Sequence, residues 1–232
     1  MKPIPEFLRQ LKAIFRPCSS PEMKQIYTNF LREKEDSRVT MLHREDLYMP
    51  GSPNTECSPY MIDLVRKHAG HEILDIGCGT GVNSIELLKT GFHCTGIETD
   101  PSYVNKAKKH FPAFVMNAEE LDFPDKSFDT TILIEVLEHI RNPTAALSEI
   151  VRVTRKNLVL SVPNISALPF CVEHHTIMHH FFDSSHVNFF TPPMLKRFLE
   201  QFFPDVQTGE FGQFFNLSGK KLFYHIYAIA SF

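Results

Sequence analysis

The sequence predicts an α/β domain with a doubly wound, mostly parallel sheet, preceded by an N-terminal helical extension. Three observations carry that reading. From Pro59 onward, apolar runs of strand length alternate with stretches of helical period, the pattern of strand–helix–strand units. The first such run, "EILDI", is followed by Gly77, Gly79 and Gly81, and the loop after the first strand of such a sheet is where ligands are received. The chain has 232 residues, 43% of them hydrophobic, which suffices for one large domain with its own core.

The elements follow in order. Residues 1–58 read as a partly helical extension or cap, and 59–232 as the sheet domain. The stretch "MKPIPEFLRQLKAIFRPCSS" puts Phe7, Leu11, Ile14 and Phe15 on one helix face, with Arg9, Lys12 and Arg16 elsewhere. That predicts a helix packed on the domain, with peripheral membrane contact as the alternative. The cluster "YMPGSPNTECSP" marks a loop. "PYMIDLVRKHA" is helical, "EILDIG" a short buried strand, Asn83 to Lys89 helical, and "FHCTGIETD" a second strand. "PSYVNKAKKHF" is a helix, with Asp100 before Pro101 giving a capped start. "AFVMNA" and "FDTTILIEV" are strands, "NPTAALSEIVRV" a helix and "KNLVLSVPN" a strand. Beyond Ile165 the chain turns rich in Phe and His, which predicts a lid segment and a helix near 193–202. Two closing antiparallel strands follow, near "DVQTGEFGQFF" and "LFYHIYAIASF".

Bulk properties exclude several classes. A net charge of -3 gives no global attraction to nucleic acid or acidic lipid. Cys18, Cys57, Cys78, Cys94 and Cys171 are odd in number and lack CxxC spacing, which fits a reducing, cytoplasmic setting and not a disulfide framework. No apolar stretch approaches the roughly 20 residues that span a bilayer, and charges interrupt any signal-peptide core at the N-terminus. Composition sets no oligomeric state.

The glycine loop is selective in what it can hold. It has no lysine at its end, so it is not a P-loop. The dinucleotide spacing GxGxxG would need glycine where Val82 stands. Asp75 at the strand end would repel a pyrophosphate, yet it can accept hydrogen bonds from a cationic or zwitterionic ligand. Glu98 lies 17 residues (98 − 81) past Gly81 at the end of the second strand, the interval of an acid that reads a ribose.

These pieces resemble the class I S-adenosyl-L-methionine (SAM) dependent methyltransferases, in the branch often called type 11, from about Pro59 to Asn164. "EILDIGCGTGVNS", "CTGIETD", "FVMNAEELDFPDKSFD" and "ILIEVLEHIRNPTAALSEIVRV" occur in the family's order. The resemblance implies a Rossmann-like methyltransferase fold, SAM as cofactor, and cofactor contacts from Asp75, Gly77, Cys78, Gly79, Gly81, Glu98, Asn117, Ala118 and Glu135. Asn117 stands where many relatives carry Asp, and it can still pair with adenine.

The methyl acceptor is less legible, because transfer from a sulfonium demands positioning more than a strong catalytic motif. Glu138, His139 and His186 are the expected catalytic residues. The segment "SHVNFFTPPMLKRFLE" resembles that of ubiquinone-pathway O-methyltransferases, which implies a small-molecule or lipid-like acceptor modified on oxygen or nitrogen. Glu135, Glu138, His139 and His186 also resemble the metal-binding set of small-RNA 2′-O-methyltransferases, where two acids and two imidazoles hold a divalent ion. The absence of a basic patch favours the metal-free small-molecule reading over RNA. The third alternative is a non-catalytic SAM-binding partner protein. His174, His175, His179, His180 and His186 are expected to line a pocket lid, with zinc on His175 and His179 the alternative.

Overall fold

The computed structural model describes residues 57–169, 183, 185–217 and 220–232. The N-terminal extension and the lid histidines His174, His175, His179 and His180 therefore lie outside the described residues. The chain divides at 49/50, and all described residues belong to the second unit.

Helix α1 (Pro59–His68) leads into β1 (Glu72–Ile76), α2 (Val82–Leu88), β2 (His93–Glu98), α3 (Pro101–Ala107) and β3 (Ala113–Val115). Then come β4 (Phe128–Ile134), a 3-10 turn (Leu137–His139), α4 (Pro143–Val153), β5 (Thr154–Pro163), a second 3-10 turn (Ile165–Ala167), α5 (Pro192–Leu199), β6 (Asp205–Leu217) and β7 (Lys220–Ser231). The helix starts have local causes. Asp100 accepts from Ser102 N at 2.7 Å ahead of Pro101, and Asn142 accepts from Ala145 N at 3.2 Å ahead of Pro143. In both, a side-chain oxygen satisfies an orphan amide and proline pre-sets the first turn. The expected strand at "AFVMNA" shortens to three residues, because beyond Val115 the chain turns at Asn117, whose Oδ1 accepts from Glu119 N at 3.1 Å.

Seven strands form one sheet in the order β3-β2-β1-β4-β5-β7-β6. The first five are parallel, and β7 enters antiparallel between β5 and β6, in line with the two closing antiparallel strands expected. Neighbouring residues of one strand feed opposite layers. Ile73, Ile132, Val159 and Ile229 pack with Met61, Val65 and Val104 of α1 and α3. Leu74, Leu133, Leu158 and Ala228 pack with Leu147, Ile150, Leu195 and Leu199 of α4 and α5. A strand covered on both faces is mostly apolar along its length, which is why these runs are near-continuous and not alternating; the buried polar exceptions are paired, as Thr130 with Asn157 and Thr131 with Thr154. Each fully buried aliphatic side chain here is worth about 1.5–3 kcal/mol. Among the described residues no helix is long and apolar enough to cross a membrane.

The direction of winding reverses between β1 and β4: β2 and β3 lie on one side, β5 on the other. The carboxyl ends of β1 and β4 therefore open a crevice, the place where ligands bind in open α/β sheets.

Candidate active site

Two loops border that crevice. The first joins β1 to α2. Gly77, Gly79 and Gly81 all have positive φ, at 68°, 53° and 91°, a region other residues enter only with strain. A Cβ on Gly77 would come within 2.6 Å of Val136 Cγ2, so this loop and the one after β4 already touch. The loop is tied to β2 by Cys78 N to Ile97 O (3.0 Å) and by Gly79 N to Glu98 Oε2 (3.2 Å). The other Glu98 oxygen accepts from Thr99 N and Asp100 N at 2.6 and 3.2 Å.

Asp75 is buried and accepts from Ser84 Oγ at 2.7 Å. Burial pushes its carboxyl up to about 7, assisted by the charge of Glu98 and opposed by the Ser84 hydrogen bond. Burial also pushes the Cys78 thiol up, and Cys94 up to about 12, so both are packing groups and not nucleophiles. Gly77, Cys78, Gly79 and Gly81 of the predicted cofactor set thus lie in one loop, with Asp75 in the strand before it and Glu98 bonded to it. Ala118 is buried, whereas Asn117 is exposed; Met116 N donates to Glu98 O at 3.1 Å, which brings this stretch to the end of β2.

Sequence reasoning missed what holds the segment after Asn117. Arg152 on α4 donates to Leu121 O and Phe123 O, both at 2.7 Å, and forms a two-point pair with Glu149 at 2.9 and 2.7 Å. Arg152 holds the Glu149 carboxyl down to about 2. The only signal was an i, i+3 acid–base pair on a helix, which ordinarily reads as a surface pair.

The raised carboxyl of Asp75 has a testable consequence. The folded protein binds this proton more tightly than the unfolded chain, so its contribution is complete below about pH 4 and is lost as pH rises toward 7. Thermal melts from about pH 5 to pH 8 should show wild-type stability falling with pH, and Asp75→Asn should flatten that slope, the share of Glu138 remaining. Equal slopes in the two proteins would place the ionisation elsewhere.

The second loop follows β4. Glu135 has φ 56°, and this left-handed step turns the chain sharply into Leu137–His139. Its carboxylate accepts from Ser161 Oγ at 2.6 Å and lies 3.2 Å from His225 Nδ1. Glu138 is buried; burial raises its carboxyl well above the usual range, and the charges of Glu135 and Asp183 add to this. Its Oε2 is buried with no hydrogen-bond partner among the described residues.

The segment ahead of α5 is fastened to this turn. Val187 N and Asn188 N donate to Glu138 O at 2.9 and 3.0 Å, and Asn188 Nδ2 donates to Leu137 O and Ile140 O. His186 is thereby brought to His139, with ring centroids 4.6 Å apart. Glu138, His139 and His186 each offer a ligating atom within 4.8 Å of the others. The three residues expected to be catalytic therefore do converge. Of the alternative four-residue metal set, Glu138, His139 and His186 cluster, whereas Glu135 is not part of the cluster and its carboxylate accepts from Ser161 and lies beside His225.

The sheet order and the crevice between the two loops define a Rossmann-like methyltransferase fold. Residues 74–162 match the family model described as the methyltransferase domain, and this segment is similar to the class I SAM-dependent methyltransferases, whose cofactor is S-adenosyl-L-methionine. The chain is 32% identical over 136 residues to an O-methyltransferase of Aspergillus sclerotiorum, covering 54% of this chain and 50% of that one. It is 28% identical over 151 residues to the ubiquinone biosynthesis O-methyltransferase of Maricaulis maris (strain MCS10), covering 60% and 59%. The chain thus spans about half to three-fifths of the length of these relatives. A SAM-dependent methyltransferase structure from Archaeoglobus fulgidus superposes with a TM-score of 0.62 at 20% identity, over 75% of this chain and 93% of that one; the likeness is one of fold.

The site fits such a cofactor. Glu98 stands at the end of the neighbouring strand beside the glycine loop, and Asn83 Oδ1 at the start of α2 is buried without a partner among the described residues.

Proposed function

We propose that residues 59–232 form a methyltransferase domain, with 1–58 as a separate extension, and that it methylates oxygen or nitrogen of a small-molecule or lipid-like acceptor in the cytoplasm. The observation that carries the reading is the placement of the glycine loop and the Glu138–His139–His186 turn on the two strands that border the crevice. The relatives named as O-methyltransferases support the acceptor class.

The bound cofactor supplies an activated methyl group on sulfur. Glu98 accepts from the ribose hydroxyls, Gly77, Cys78, Gly79 and Gly81 present backbone to the methionine portion, and Asp75 sets the local charge behind them. Asn117 and Ala118 lie on the adenine side. Glu135, part of the expected cofactor set, acts through the shape of its turn, since its carboxylate is engaged by Ser161 and His225. His139 takes the acceptor's proton as the new bond forms. Glu138, whose carboxyl burial raises well above its usual range, and His186 border the acceptor and exclude water.

One observation favours a second reading. A buried acid with an unpartnered oxygen beside two imidazoles is a donor set for a divalent cation. In that case a ribose diol at an RNA terminus becomes the natural acceptor.

Calorimetry with S-adenosylhomocysteine tests the common core of both. A dissociation constant in the micromolar range, about -8 kcal/mol, is expected, and Glu98→Ala should weaken it by about 1.5–3 kcal/mol through loss of charge-assisted hydrogen bonds. Absence of binding by the wild type, in heat and in thermal shift, overturns the proposal.

A further inference from the structure

Ser185 and Asp183 form a small hydrogen-bonded chain behind His139. Ser185 Oγ lies 2.9 Å from His139 Nδ1 and donates to Asp183 Oδ1. The same carboxylate oxygen accepts from Ser185 N at 2.9 Å, and the other stands 3.4 Å from His186 Nε2. Asp183 is buried, whereas Ser185 and His139 are partly exposed, so the Asp183 end of this chain is sheltered from competing water.

Donor accounting gives the chain a direction. A carboxylate has no proton to give, and a serine hydroxyl has only one. That one is committed to Asp183, so the Ser185 oxygen can meet His139 only as an acceptor. In its neutral form His139 then carries its proton on Nδ1, which leaves the lone pair on Nε2. Nε2 is the nitrogen 3.9 Å from Glu138 Oε1, on the side of the converging trio. A free imidazole in water prefers the opposite tautomer, so the arrangement has to be imposed.

We propose that Ser185 and Asp183 are positioning residues that lock His139 in the Nδ1–H tautomer and so deliver an unprotonated Nε2 to the transfer site. The inference deepens the functional reading above and rests on it only for its consequence. The tautomer itself is a property of the cofactor-free protein. It serves either reading, since a general base and a metal ligand both need that lone pair.

The test uses the full chain labelled with ¹⁵N. Long-range proton–nitrogen correlation spectra, recorded where the ring is neutral, distinguish the two tautomers by which nitrogen carries the proton. The His139→Gln spectrum identifies the His139 signals by their loss. Wild type should show Nδ1–H as the dominant form, Ser185→Ala should invert it, and Ser185→Thr, which keeps the hydroxyl, should restore it. Asp183→Asn should erode the preference, because the hydroxyl is then free to point either way. Once an acceptor is in hand, Ser185→Ala should lower kcat by about 10–100-fold at unchanged KM.

An Nε2–H ring in the wild type, which needs no variant to observe, overturns the proposal. An unchanged tautomer in a folded Ser185→Ala protein overturns it equally. If the tautomer behaves as stated while His139→Ala methylates at the wild-type rate, the positioning claim stands and the functional reading of His139 falls.

Discussion

Replacing Gly79 by valine is expected to abolish binding of S-adenosylhomocysteine while leaving the protein folded. Gly79 sits at φ 53°, where a β-branched residue is strained by about 1–3 kcal/mol. Two outcomes are open to the residue, and both remove the site. Rotating the peptide breaks the Gly79 N to Glu98 hydrogen bond, which holds the loop against β2. Keeping the peptide in place retains the strain and adds a branched side chain to a loop proposed to present its backbone to the ligand. Together these should cost on the order of 100-fold or more in affinity, at about 1.4 kcal/mol per tenfold. Gly91 provides the control. It shares a positive φ, 91°, but a Cβ there meets nothing within 4 Å. Gly91→Asn, a residue that tolerates this conformation, should bind normally. Calorimetry paired with circular dichroism reads both, and wild-type affinity in folded Gly79→Val would show that the loop serves packing alone.

His139→Ala is expected to lower methyl transfer by about 10²–10⁴-fold while leaving affinity for S-adenosylhomocysteine unchanged. The split follows from position. His139 belongs to the turn after β4, with Ser185 and His186 as neighbours, whereas the cofactor groups belong to the loop after β1 and the end of β2. Under the small-molecule reading the wild-type rate survives chelator. Under the metal reading EDTA abolishes turnover, Mn²⁺ or Mg²⁺ restores it, and His186→Ala is as severe as His139→Ala. Chelator-sensitive activity rescued by a divalent ion would therefore transfer the conclusion to the second reading.

Most of the sheet was legible because its signals are local. Strands buried on both faces need continuous apolar runs, as in "TTILI" and "NLVLSV". Asp100 and Asn142 announce helix starts through hydrogen bonds spanning two or three residues. The glycine loop was legible for the same reason, since positive φ is a property of single residues. Arg152 was not legible. Its pairing with Glu149 is a helix-surface pattern, and its grip on Leu121 O and Phe123 O spans 31 and 29 residues.

The sequence alone determined the α/β layering, the crevice-facing loop and the acid at the end of β2, because periodicity, glycine placement and caps act over a few residues. Only the tertiary structure decided how the second loop works. His139 meets Ser185 across 46 residues because Val187 and Asn188 hydrogen-bond back to the turn after β4. Glu135 leaves the metal set for His225, 90 residues away, because β7 enters antiparallel beside β5 and sets His225 opposite Pro163. Such partners are selected by strand order and register, and neither is encoded in the spacing of the residues themselves.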